Sequence, residues 1–120
     1  MNIALWISQG VLAAVFALSG TLKSTQPKER MIATGQTGVV FFPLPVIRTV
    51  AALELAGAAG LILPRITGIA EPLTPAAAIG LAVVMVGAAI SHSRLREPGA
   101  VAANLVLLAL CVFVAFGRLA

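Results

Sequence analysis

The stretch Arg48–Pro64, "RTVAALELAGAAGLILP", holds one carboxylate, Glu54, inside an otherwise apolar run of small residues. Alanine, leucine and glycine dominate it and no period-two alternation is present, so it reads as a helix and not as a strand. At about 1.5 Å rise per residue, roughly 18 such residues cover about 27 Å, close to the hydrocarbon thickness of a bilayer. Three further segments have the same character. The spans are therefore expected over about 3–22, 46–63, 74–91 and 100–117.

Composition points the same way. Of 120 residues only 10% are charged, 60% are hydrophobic, and mean hydropathy is +1.07. A soluble domain carries about 25% charged residues, so this chain lacks the polar surface that water requires. Together these features predict an all-α, integral membrane fold: one transmembrane domain over 1–120, built as an antiparallel four-helix bundle. The chain begins "MNIALW", with no Lys or Arg ahead of the apolar core, so the first segment is expected to be a mature helix and not a signal peptide.

An even number of spans puts both termini on one side. Lys23, Lys28, Arg30, Arg48, Arg94 and Arg96 fall on the side of the first and third loops, against Arg65 and Arg118 on the terminal side. The positive-inside rule then predicts both termini outside and those loops in the cytoplasm, as in a bacterial inner membrane protein. No aromatic-interleaved basic face accompanies the cations, which argues against nucleic-acid binding.

The first loop is long for such a compact bundle. Pro27 followed by "KERMIA" reads as a short helix start, ended by Gly35 and Gly38. The following "VVFFPLP" has two readings. The simpler is a partly interfacial segment with Phe41 and Phe42 at headgroup depth; the sharper is a lid over a cavity between helices. Pro64, Pro72 and Pro75 are expected to bracket the second loop. Small residues (Ala13, Ala17 and Gly20; Ala56 and Gly60; Gly80, Gly87 and Ala88) mark the faces where helices are expected to approach closely.

Glu54 is the only acidic residue within a span. Unpaired and ionised at this depth it would cost roughly 2.5–3.5 kcal/mol even on the lenient insertion scale, so it needs a partner, a cavity or a proton. Ala51, Gly57 and Ala58 share its helix face, which turns it inward. Arg48 lies about 9 Å above it and about 240° round the same helix. Lys23, closing the first helix, is the better partner. Ser19, Thr21, Lys23, Glu54, His92 and Asn104 then gather at one end of the bundle, with Ser8 and Gln9 at the other. The candidate polar cluster, for ligand binding or for pinning helix order, is Lys23, Glu54, His92 and Asn104, supported by Arg48 and Arg94.

No catalytic residue is assigned, because no nucleophile–base pair, carboxylate dyad or phosphate-cradling glycine loop is present. One His and no Asp supply too few ligands for a metal site. His92 and Met85 on one helix cannot reach opposite faces of a haem. Cys111 stands alone and reads as a buried structural thiol.

At "ALSGTLK" (17–23), "ALELAGAAGLILP" (52–64), "SHSRLREP" (91–98) and "FVAFGR" (113–118), the chain resembles the DoxX-like family of small bacterial membrane proteins. The resemblance implies a four-helix bundle with Lys23 and Glu54 as its polar core and His92 at the third-helix boundary. It also implies work beside partner proteins, because the family takes its name from a membrane subunit of a thiosulfate:quinone oxidoreductase. No cofactor is evident in the chain itself, and a quinone is the one the resemblance suggests. The leading expectation is a non-catalytic membrane subunit or a binder of a quinone- or lipid-like molecule. Its rivals are a small proton-coupled transporter using Glu54 and a membrane-protein assembly factor. Expected partners are the lipid bilayer, an oxidoreductase or another membrane protein, and further copies of the chain.

Overall fold

The computed structural model describes residues 2–119. Helix α1 spans Asn2–Thr25, α2 Lys28–Ala33, a 3-10 turn Thr37–Phe41, α3 Leu44–Thr67, α4 Leu73–Arg94 and α5 Pro98–Leu119. Helices α1, α3, α4 and α5 are each long and apolar enough to cross a membrane. Each runs past the bounds expected from hydropathy, because polar residues such as Thr25, Arg65 and Arg94 leave the apolar run without leaving the helical hydrogen-bond ladder. The longest dimension is 40 Å, which matches a bilayer with part of its headgroup layers.

The four long helices form a ring in which α1 packs on α3, α3 on α4, α4 on α5 and α5 on α1. Leu12, Phe16, Leu61, Leu81, Met85, Cys111 and Val114 fill the centre, and Cys111 is a free, buried thiol. Outward, Ile3, Leu18, Ile66, Val83, Val106 and Phe116 are more than 55% exposed. A surface this apolar all round suits lipid and not water.

Prolines shape the bundle at two places. Pro64 does not border the second loop as expected; it lies inside α3, which continues to Thr67 and stops at Gly68 in the left-handed conformation (φ 71°). Proline has no N–H, so the Gly60 carbonyl one turn earlier loses its helical donor. The Thr74 hydroxyl of α4 donates to that carbonyl at 2.9 Å, and α3 continues unbroken. Pro27 does the same to the carbonyl of Lys23 at the end of α1, and there the Arg48 guanidinium of α3 donates instead. Each substitute donor also ties two helices together. Pro75, also expected at the loop, sits in the first turn of α4, where its missing N–H does no harm.

Small residues divide into two groups. Gly20 is buried where α1 meets α3: a Cβ there would come within 2.8 Å of Leu55 Cγ and 3.0 Å of the Ala51 carbonyl oxygen. Gly80 and Gly87, expected at helix contacts, instead have open space around them. They lie at the rims of cavities on the outside of the α3–α4 pair. Gly20→Ala is therefore expected to force α1 off α3 and destabilise the protein by about 1–3 kcal/mol. Gly87→Ala should leave stability unchanged or raised. Thermal unfolding of the two variants in the same detergent checks the contrast.

Candidate functional site

The Gly20 contact sets the site geometry. One turn further along α1, Lys23 reaches across to α3, and its Nζ donates to Glu54 Oε1 at 2.6 Å. Glu54 is fully buried and Lys23 nearly so, with 14% of its side chain exposed. The partner expected for Glu54 from helix depth is thus the one it has. Arg48 takes no part in the ion pair; it binds the Lys23 carbonyl and so fixes the backbone from which the lysine projects.

His92, at the end of α4, belongs to a second polar group. Glu97 Oε1 in the third loop lies 2.7 Å from His92 Nδ1 and accepts a 2.7 Å hydrogen bond from the Thr37 hydroxyl. The carboxylate can only accept, so Nδ1 carries a proton, and Nε2 has no hydrogen-bond partner among the described residues. The two hydrogen bonds, that of His92 foremost, pull the Glu97 carboxyl below its usual range. Gly38 lets the loop backbone sit close to the ring, since a Cβ there would stand 3.3 Å from His92 Nε2.

The first loop closes over these groups. Met31 of α2, Val39 of the 3-10 turn and Ile47 of α3 bury one another in a small core of their own, and the 3-10 turn packs on α4. Gln36 Nε2 approaches Ser19 Oγ of α1 at 3.4 Å, and Thr37 is tied to Glu97. The segment therefore covers a cavity, while Phe41 and Phe42 remain about 40% exposed at its outer edge, Phe41 beneath the Arg94 guanidinium at 5.2 Å.

That cavity measures about 290 Å³. Lys23, Gln36, Ser91 and His92 give it polar corners, and Val39, Phe42, Val46, Ile47, Val50, Val84 and Ala88 supply apolar walls. Val46, Val83 and Gly87 line it yet are exposed on the outside of the bundle, so its mouth opens sideways between α3 and α4.

Two of the expected cluster residues are thus brought together by the cavity, Lys23 and His92, and Glu54 joins through Lys23. Asn104 is not joined to them: it is buried on α5, diagonally across the bundle from α3, and its Nδ2 has no acceptor among the described residues. Arg94 serves the rim through Phe41. Sequence reasoning missed Glu97 and Thr37. The five-residue step from His92 to Glu97 across a turn was a usable signal; the 55-residue separation of Thr37 from His92 was not.

With this geometry in view, a sequence profile of the DoxX-like family matches residues 7–114. The chain belongs to the DoxX-like family. No curated protein and no solved structure is detectably similar to it. It is a DoxX-like integral membrane protein with a buried Lys23–Glu54 pair and a partly exposed His92–Glu97 pair.

Two expectations follow for the DoxX-like bundle. Lys23→Met leaves the Glu54 carboxylate buried without its cation and should cost about 3–5 kcal/mol. The double variant Lys23→Met/Glu54→Gln should recover most of that loss, a coupling readable from thermal unfolding of the four combinations. The second concerns pH. A carboxyl held below its usual range stabilises the fold above that range and loses its contribution as pH falls through the folded-state value. The wild type should therefore lose thermal stability as acid titrates Glu97. Glu97→Gln should start lower at neutral pH and show a flatter profile over the same acid window.

Proposed function

We propose that this DoxX-like protein is a non-catalytic binder of a small, uncharged amphiphile of the quinone or lipid-like class, held in the cavity beneath the first loop and shared with partner proteins in the bilayer. The observation that carries this reading is the lining of the cavity: donors at one end, apolar walls elsewhere, and a mouth between α3 and α4 where lipid lies. At about 290 Å³ the cavity sits at the small edge of the ~300–1,000 Å³ of small-molecule sites, a size for one head group with its tail left outside.

Charge favours a neutral head. Lys23 is already balanced by Glu54, and His92 already faces Glu97. An anionic ligand would meet no uncompensated cation there. A carbonyl oxygen suits better, because an ammonium has three N–H donors and Glu54 accepts only one. Ser91 and His92 also line the cavity, so hydrogen-bonding side chains are available to a hydroxyl as well as to a carbonyl oxygen. The basic first and third loops favour a cytoplasmic placement for this end of the bundle.

Extraction of the purified protein followed by mass spectrometry tests the reading. A neutral amphiphile is expected at near-stoichiometric amounts in the wild type. Gly87→Leu, which narrows the mouth from its lipid-facing side, should reduce it at least tenfold without lowering thermal stability. Equal recovery from wild type and Gly87→Leu, or recovery of no small molecule at all, would sink the proposal. Capture of client membrane proteins with no small molecule would favour the assembly-factor reading in its place.

A further inference from the structure

The end of the bundle opposite the cavity holds a second polar group of a different kind. Arg118, in the last turn of α5, donates from Nε to Gln9 Oε1 at 2.7 Å and from Nη1 to Asn2 Oδ1 at 2.9 Å. Its guanidinium lies 5.3 Å from the centre of the Trp6 ring. Gln9 is itself fully buried and is held by a hydrogen bond from its Nε2 to the Leu61 carbonyl. The arginine is thus oriented by three neutral groups and neutralised by none of them.

Gln9 bonds both Arg118 of α5 and the Leu61 carbonyl of α3, and Arg65, in the last turn of α3, lies one helical turn beyond Leu61, so both guanidinium groups belong to the same end of the bundle. Glu71 lies 3.4 Å from Arg65 Nη1 and is half exposed. Arg65 thus has one half-exposed carboxylate, and Arg118 has no acidic side chain within ion-pair distance among the described residues. Arg65 Nε and Arg118 Nη2 are both buried without an acceptor among the described residues. A charged donor left in that state is costly, and costlier in an apolar surround, so the arrangement calls for an acceptor that also brings negative charge.

We propose that Arg65 and Arg118 form a binding site for a phosphate group, presented by an anionic phospholipid or as free phosphate. Phosphate oxygens accept from several N–H groups at once, and the planar guanidinium fork matches them better than a point cation does. Trp6 beside Arg118 is the residue type that settles at the membrane–water boundary, the depth at which lipid phosphates lie. The preset orientation of Arg118 by Gln9, Asn2 and Trp6 means that little side-chain freedom is lost when the anion arrives. The site lies at the other end of the molecule from Lys23 and Glu54 and stands independently of the cavity.

Native mass spectrometry of the full chain in non-ionic detergent tests it, with phosphatidylglycerol, diacylglycerol or inorganic phosphate added in turn. Phosphatidylglycerol is expected to bind and diacylglycerol to bind at least tenfold more weakly. Arg65→Gln and Arg118→Lys should each weaken phosphatidylglycerol at least tenfold, whereas Arg30→Gln, which removes an exposed charge on α2, should not. Circular dichroism checks that each variant retains its helices; should Arg118→Lys fail to fold, the half-buried Arg65 decides alone. Binding of phosphatidylglycerol that survives millimolar phosphate assigns the site to lipid. Binding of inorganic phosphate that Arg65→Gln abolishes assigns it to the free anion. Equal binding of diacylglycerol, or phosphatidylglycerol binding unchanged by both variants, overturns the proposal and leaves the two donors to water.

Discussion

A carboxylate on a membrane helix has no water to turn to, and in this bundle Glu54 turns to Lys23. The pair forms only because α1 and α3 approach closely one turn away, where Gly20 leaves no Cβ between the Leu55 side chain and the Ala51 carbonyl. It also depends on Arg48, whose bond to the Lys23 carbonyl steadies the end of α1. The close contact, the capped carbonyl and the ion pair are thus one construction. A fault in any of them leaves a charge buried alone, and that penalty exceeds what an exposed salt bridge could ever return.

The same scarcity of water explains the treatment of prolines. In a soluble helix an orphaned carbonyl beside Pro27 or Pro64 would be solvated from outside. Here Arg48 and Thr74 donate to those carbonyls from neighbouring helices. Each correction doubles as an inter-helix tie, one at either end of α3. Helix α3 is consequently held to α1 near the Lys23–Glu54 pair and to α4 near the second loop. Gly57 and Gly60 of α3 pack closely on Leu81 and Ala77 of α4, and the cavity opens nearer the start of α3, between Val46 and Val50 on one side and Val83 and Gly87 on the other.

Fold and site were not equally legible in the sequence. Four spans follow from hydropathy alone, since the constraint is one of length and apolarity and needs no contact information. The Lys23–Glu54 pair could be found by matching depth, because a buried acid has few cations at its level. Asn104 passed the same depth test, yet it makes no hydrogen bond to the other three among the described residues: depth does not say which side chains meet, and α5 lies diagonally across from α3, which carries Glu54. Small residues misled for a related reason. Glycine is needed both where helices touch, as at Gly20, and where they leave a cavity mouth, as at Gly87, and one chain does not distinguish the two. Gln9 and Arg118, 109 residues apart, meet only once α1 and α5 close the ring.

The two ends of the molecule differ in charge balance, and that difference decides what each can hold. Around the cavity Lys23 is paired with Glu54 and His92 is bound to Glu97, so the polar corner offers hydrogen-bonding groups and no cation without an acidic partner. At the other end Arg65 is paired with the half-exposed Glu71, and the hydrogen-bond partners of Arg118 among the described residues are neutral. A balanced corner with apolar walls selects for a dipolar, uncharged head; an unbalanced pair of guanidinium groups at the boundary selects for an anion. On the readings proposed above, one helical ring holds two chemically distinct sites, and a buried apolar core of Leu12, Phe16, Leu61, Leu81 and Met85 lies between the two ends.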